Sequence, residues 1–181
     1  MPAGRQARLF FALWPDVPLR SALAAAAREL SQDSGGRVPP AENLHLTLAF
    51  LGEVPAERLA ELRELGSAAA GRPFELVIDR IGYWKQQRLV WAGVTRVPPE
   101  LEALASRLAI ALQARGYRVE KRAFRPHVTL LRDAGTPRRR TLDPLRWQVR
   151  SLVLARSQPG NGGVRYAKAG VWPMAAAGAG L

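Results

Sequence analysis

The sequence predicts an α+β fold built from two similar strand–helix–strand halves. Short apolar runs of strand length alternate with longer stretches that carry leucine at helical spacing. That order occurs twice, with 30 residues separating Pro15 from His45 and 29 separating Pro98 from His127. Each copy closes on the same tripeptide pattern, His-x-Thr, and the chain has no other histidine. If the halves pack about a pseudo-twofold axis, the fold is bilobal and the two patterns face one cleft.

The first half opens on Leu9 to Trp14, an apolar run read as a buried strand. Arg5 and Arg8 precede it, but the run is shorter than the apolar region of a secretory signal and no small-residue cleavage site follows. After Asp16, the spacing of Leu19, Leu23, Ala26 and Leu30 predicts a helix with Pro18 in its first turn, closed by Gly35 and Gly36. A polar turn through Pro39, Pro40, Glu42 and Asn43 leads to a strand from Leu44 to Leu51, with Gly52 expected to end it. Pro55 opens a second helix bearing Leu59, Leu62 and Leu65; Phe74, Leu76 and Ile78 then alternate as a strand expected to break at Gly82.

The second half replays the order. Leu89 to Val94 reads as a strand, and Pro98 and Pro99 start a helix with Leu101, Leu104, Leu108 and Leu112 on one face, ended by Gly116. Phe124 to Leu131 reads as a strand with Pro126 inside it, which predicts an edge position or a bulge. Asp133 to Trp147 reads as a loop whose Arg138, Arg139 and Arg140 are either an electrostatic lip for RNA or a solvated basic surface, the second being the commoner case. Strands return at Val149 to Ala155 and Val164 to Val171. One domain over residues 1–181 is expected, with halves at about 8–82 and 88–172 and a tail at 175–181 that has little reason to be ordered. A chain of 181 residues buries roughly 70% of its unfolded surface, enough for a substantial core.

Composition narrows the chemistry. There is no cysteine, which removes disulfides, thiolate nucleophiles and cysteine-bound zinc, and fits a reducing, cytoplasmic setting. No stretch reaches the roughly 20 apolar residues of a membrane span. The net charge is +12, and Lys85, Lys121 and Lys168 are the only lysines, so the excess is mostly arginine, whose planar fork suits phosphate oxygens. A compositionally biased genome produces the same excess, so charge alone does not decide the partner.

The motifs decide more. The two histidines stand in His45-Leu46-Thr47-Leu48 and His127-Val128-Thr129-Leu130, and two of the five threonines fall two residues after them. Strand side chains alternate, so each strand presents an imidazole beside a hydroxyl while Leu46, Leu48, Val128 and Leu130 face a core. Imidazole accepts or donates a proton near neutral pH, so two of them flanking a phosphate supply a base for the incoming water and an acid for the departing oxygen. Thr47 and Thr129 with nearby arginine would hold the phosphoryl oxygens. A metal site is disfavoured because the nearest carboxylates, Glu42, Glu53 and Asp133, lie outside the His-Thr faces. The symmetry leaves donor and acceptor unassigned.

These motifs, with Arg8-Leu9-Phe10-Phe11-Ala12, Glu42-Asn43-Leu44 before the first histidine, Phe50-Leu51-Gly52-Glu53 after it, and Phe124-Arg125-Pro126 before the second, resemble the RNA 2′,3′-cyclic phosphodiesterases, formerly 2′-5′ RNA ligases, of the two-histidine phosphoesterase superfamily. The resemblance implies antiparallel sheets lining a central cleft with helices packed outside. It implies hydrolysis of a terminal 2′,3′-cyclic phosphate to a 2′-phosphomonoester, with no metal or other cofactor, and reversal as ATP-independent 2′-5′ ligation. The partner it implies is RNA with a cyclic phosphate end, tRNA-derived ends included; the protein itself is expected to be a monomer. His45 then looks like the proton donor, His127 the acceptor, and Thr47, Thr129 and Arg132 substrate-binding groups. By strict alternation Arg132 faces away from His127, so its role needs the strand to end or bend near Leu131. The rival readings are a phosphodiesterase acting on 2′,5′-oligonucleotides or small cyclic nucleotides, and a non-catalytic RNA-binding module.

Overall fold

The computed structural model describes residues 6–120, 122–160 and 163–175. The expectation for the tail falls mostly outside them. Eight strands and three α-helices follow in the order β1 (Gln6–Leu13), α1 (Val17–Ser34), β2 (Leu46–Pro55), α2 (Leu59–Ala69), β3 (Phe74–Trp84), β4 (Leu89–Gly93), α3 (Pro99–Ala114), β5 (His127–Leu131), β6 (Thr141–Val149), β7 (Ser151–Gly160) and β8 (Gly163–Pro173). The strands form one antiparallel sheet in the order β6-β3-β4-β5-β2-β1-β7-β8.

Local chemistry explains the helix ends. Asp16 caps α1 by accepting from the Leu19 backbone N–H at 3.0 Å, Pro18 sits where its missing N–H costs nothing, and Gly35 closes the helix at φ +62°. Pro99 starts α3 in the same way. Pro55 does not open α2 directly; a 3-10 turn at Ala56–Arg58 intervenes.

Several strand boundaries differ from expectation, each for a stated reason. β2 runs through Gly52 to Pro55, because Gly52 adopts φ +70° and the chain absorbs it as a bulge: Leu9 pairs with Gly52 and Phe10 with Phe50. β3 likewise runs through Gly82 to Trp84. β5 begins at His127, directly after Pro126, and lies between β4 and β2 in the sheet interior, so the edge position is wrong and the proline stands outside the ladder. The loop after Asp133 ends at Arg140, since Thr141–Val149 is β6; Pro144 hid this strand and is tolerated because β6 is an edge. In the loop, Arg139 is tied to Glu29 at 3.2 Å and to Asp143 at 4.0 Å.

The sheet consists of two four-stranded halves, β6-β3-β4-β5 and β2-β1-β7-β8, joined through the pair Leu46 and Val128. Helices cross between them: α1, which follows β1, packs against β5 and β6, and α3, which follows β4, packs against β2 and α2. One core cluster therefore takes Phe11 and Leu13 of β1, Leu23 of α1, Leu62 of α2, Leu76 of β3, Leu104 of α3 and Val128 of β5 together. A small second cluster, Phe10, Ala12, Val153 and Ala155 packed with Trp14 and Tyr166, lies apart from it on the other face of β1. That face carries the histidines.

Candidate active site

His45 and His127 are held alike. The Nδ1–H of His45 donates to the carbonyl of Asn43 at 2.6 Å, and the Nδ1–H of His127 to the carbonyl of Arg125 at 2.7 Å. Each carbonyl belongs to the residue two before its histidine, so the backbone just ahead of the strand fixes the ring and its tautomer. With Nδ1 so occupied, Nε2 is the atom left for chemistry. At His45 it takes the Thr47 hydroxyl as donor at 3.1 Å. Asn43 is held in turn by its own side-chain N–H, which donates to the Val164 carbonyl of β8 at 2.7 Å.

Aromatic side chains wall both rings. Trp14 stacks on His45 with centroids 4.8 Å apart and planes at 19°, its indole N–H donating to the Glu42 carbonyl at 3.0 Å. Phe10 and Tyr166 stand 4.9 and 5.0 Å from the same ring. Trp84 meets His127 edge to face at 4.5 Å. The electrostatic consequence is direct, because an imidazolium enclosed by apolar rings loses hydration. Burial pushes the His45 pKa down from 6.5 to about 4 against the Asn43 carbonyl bond, with the charges of His127 and Arg132 adding to the fall. Burial lowers His127 too, opposed by the Arg125 carbonyl bond and reinforced by Arg132.

Both histidines, both threonines and Arg132 line one cleft of about 1190 Å3. The cleft is cationic, since Arg8, Arg37 and Arg165 also line it while Glu42 is its one lining carboxylate among the described residues. None of Arg138, Arg139 and Arg140 reaches it.

Arg132 faces the cleft because β5 bends as required. Thr129 pairs with Trp91 but Leu131 with Val90, so Leu130 is an extra residue, and both Leu130 and Leu131 are buried. β2 does the same: Thr47 pairs with Ala12 and Ala49 with Phe11, leaving Leu48 extra. The residue five after each histidine is thereby turned onto the cleft face, Arg132 in one motif and Phe50 in the other. Sequence reasoning singled out Arg132 and missed Phe50, which is 46% exposed with the Arg8 guanidinium 5.0 Å over its ring. Laying the two motifs over one another would have found it. Arg37, Arg165 and Tyr166 carried no local signal.

Among the described residues no three His, Asp or Glu side chains cluster as a metal would need. Two pinned imidazoles on equivalent strands, opening into one arginine-lined cleft of an antiparallel sheet, define the class of the two-histidine phosphoesterases.

The family described as LigT like phosphoesterase matches the chain twice in succession, over residues 13–91 and 93–166. The RNA 2′,3′-cyclic phosphodiesterase of Escherichia coli is 39% identical over 127 residues, covering 70% of this chain and 72% of that one. That of Thermus thermophilus is 33% identical over 165 residues, covering 83% and 82%. The crystal structure of Escherichia coli LigT complexed with 3′-AMP superposes with a TM-score of 0.87 at 33% identity, covering 94% of this chain and 99% of that one. The chain belongs to the LigT-like phosphoesterase family.

Proposed function

We propose that this protein is an RNA 2′,3′-cyclic phosphodiesterase, with His45 and His127 as its acid and base. The observation that carries the reading is the paired arrangement of the imidazoles, each with Nδ1 bound to a backbone carbonyl and Nε2 left for the same cationic cleft. Water attacks phosphorus as its proton passes to His127 Nε2; the bond from phosphorus to O3′ breaks as His45 Nε2–H protonates that oxygen. The product is a 2′-phosphomonoester with a free 3′-hydroxyl. Thr47, Thr129 and Arg132 bind the phosphoryl oxygens, where their donors meet the charge that develops.

Burial lowers both histidine pKa values in the free cleft, so the donor His45 takes up its proton as the bound phosphate, whose charge favours imidazolium, enters between the rings. With the 5′-hydroxyl of a second RNA attacking in place of water, the same steps form a 2′-5′ linkage without ATP, and their reversal cleaves that linkage back to the cyclic phosphate. A relative crystallised with 3′-AMP supports nucleotide ends as ligands, and Phe50 beneath Arg8 offers a stacking face for a base.

The chain acts as one monomeric domain in which the halves 8–82 and 88–172 are a pseudo-repeat, a reading supported by the two successive family matches. No helix among the described residues is long and apolar enough to cross a membrane. Cytoplasmic residence is our reading of the cysteine-free composition.

The test is turnover of an RNA ending in 2′,3′-cyclic phosphate with excess EDTA present, followed by identification of the product. A 2′-phosphate end is expected. A 3′-phosphate product, or activity that vanishes in EDTA and returns with one divalent metal, overturns the reading. Parallel assays on 2′,5′-oligonucleotides and small cyclic nucleotides separate the substrate classes.

A further inference from the structure

The face of the sheet that carries His127 continues past the cleft onto β4 and β3. His127 pairs with Gly93 and Gly93 with Arg80; Thr129 pairs with Trp91 and Trp91 with Gly82. Cross-strand partners share a face, and alternation puts Trp84 on the same face as Gly82. The result is a strip running outward from the histidine: Trp84 at 4.5 Å from His127, Trp91 at 5.5 Å from Trp84, and the Arg80 guanidinium 5.7 Å over Trp91.

The two glycines make the strip flat. A Cβ at Gly82 or Gly93 would collide with the Trp91 indole, so the ring lies across both positions where side chains would otherwise stand. Among the described residues no hydrogen bond holds it, since the buried Trp91 indole N–H finds no partner there. Trp84 and Trp91 are half-buried, whereas Arg80 is exposed with no carboxylate in ion-pair range among the described residues. The helices reach the sheet through the core residues of the opposite face. Around His45 the aromatics close into a box of three rings; beside His127 they extend away from the ring instead.

We propose that the Trp84–Trp91–Arg80 strip binds the nucleotides upstream of the cyclic phosphate end, stacking their bases on the indoles and pairing a phosphate with Arg80. This rests on the phosphodiesterase reading of the cleft. A single strand whose end lies between the histidines must leave the cleft, and bases with a phosphate backbone match aromatic faces followed by an unpaired guanidinium. The strip makes the protein selective for RNA ends over mononucleotides.

The experiment compares kcat/KM for a 2′,3′-cyclic mononucleotide with that for a short single-stranded RNA bearing the same end, in wild type, Trp84→Leu and Arg80→Gln. Binding of the corresponding 2′-phosphate products is measured in parallel. Trp84→Leu is expected to lower the oligonucleotide-to-mononucleotide ratio about 5-fold or more, the effect of losing one stacked base. Arg80→Gln is expected to lower it less and to flatten the salt dependence of oligonucleotide binding. Because Arg80 is exposed, that variant keeps the test open should Trp84→Leu misfold. Equal losses on both substrates, with the ratio and the product-binding preference unchanged, overturn the proposal and leave the indoles as a wall for His127. A wild-type protein inert on both substrates overturns the phosphodiesterase reading, and the binding comparison then decides the strip by itself.

Discussion

Leu46 of β2 pairs with Val128 of β5, and each is the residue directly after one of the two histidines. Antiparallel register around that pair sets His45 opposite Thr129 and Thr47 opposite His127. The contact that joins the two halves of the sheet is thus the one that assembles the cleft. The leucine and valine are buried on the core face, so the packing that stabilises the junction also orients the imidazoles away from it.

His45→Ala and His127→Ala are each expected to reduce kcat by at least about 100-fold, the lower end of what acid or base catalysis contributes. Neither ring belongs to the main core cluster, so folding should persist. Single-turnover rates with circular dichroism of each variant check this, and a variant retaining a tenth of normal kcat removes that residue from proton transfer.

Thr47→Val is expected to do more harm than Thr129→Val to the ionisation of its neighbour, because the Thr47 hydroxyl donates to His45 Nε2. That bond favours the neutral ring, so its loss should raise the His45 pKa while removing little volume. NMR titration of the two histidine rings in each variant provides the measurement; an unmoved or lowered His45 value in Thr47→Val contradicts it.

The pH profile of kcat/KM should be bell-shaped and displaced to the acid side. Both imidazoles have lowered pKa values, so both limbs move down whichever ring sets each. Both limbs of the free enzyme therefore lie below about pH 6.5. In kcat, the bound phosphate favours imidazolium and shifts the bell upward. A kcat/KM flat from pH 5 to 9 under chemistry-limited conditions is incompatible with a histidine pair, although the apparent values belong to the dyad rather than to either residue.

Stability should depend on pH through the same groups. His45 titrates near 6.5 when unfolded and near 4 when folded, so between those values the unfolded chain binds more protons than the native one. Stability is then fully present above pH 6.5 and falls as the pH drops toward 4. Thermal unfolding at pH 4.5 and 7.5 checks the sign: His45→Gln should lose less on acidification than wild type, and an equal loss would place the acid sensitivity elsewhere.

Much of this molecule was legible along the chain. Helix ends follow from Asp16, Pro18, Gly35 and Pro99, whose effects are local, and the paired His-x-Thr patterns stand out because histidine and threonine are scarce. The cationic character of the cleft follows from composition. Other features depend on partners distant in sequence. Gly52 and Gly82 are indistinguishable from strand-ending glycines until the neighbouring strand is known: one supplies a bulge and the other makes room for an indole. The bulges at Leu48 and Leu130 are registers between strands, not properties of either strand, and they alone bring Phe50 and Arg132 round to the histidines. The crossing of α1 and α3 between the halves, and the aromatic walls that lower the two pKa values, likewise exist only once the sheet has formed. Sequence determined which groups could do the chemistry, because residue type and local periodicity are written in order along the chain. Tertiary structure decided which of them meet and how strongly they hold protons, because proximity and desolvation are properties of the packed whole.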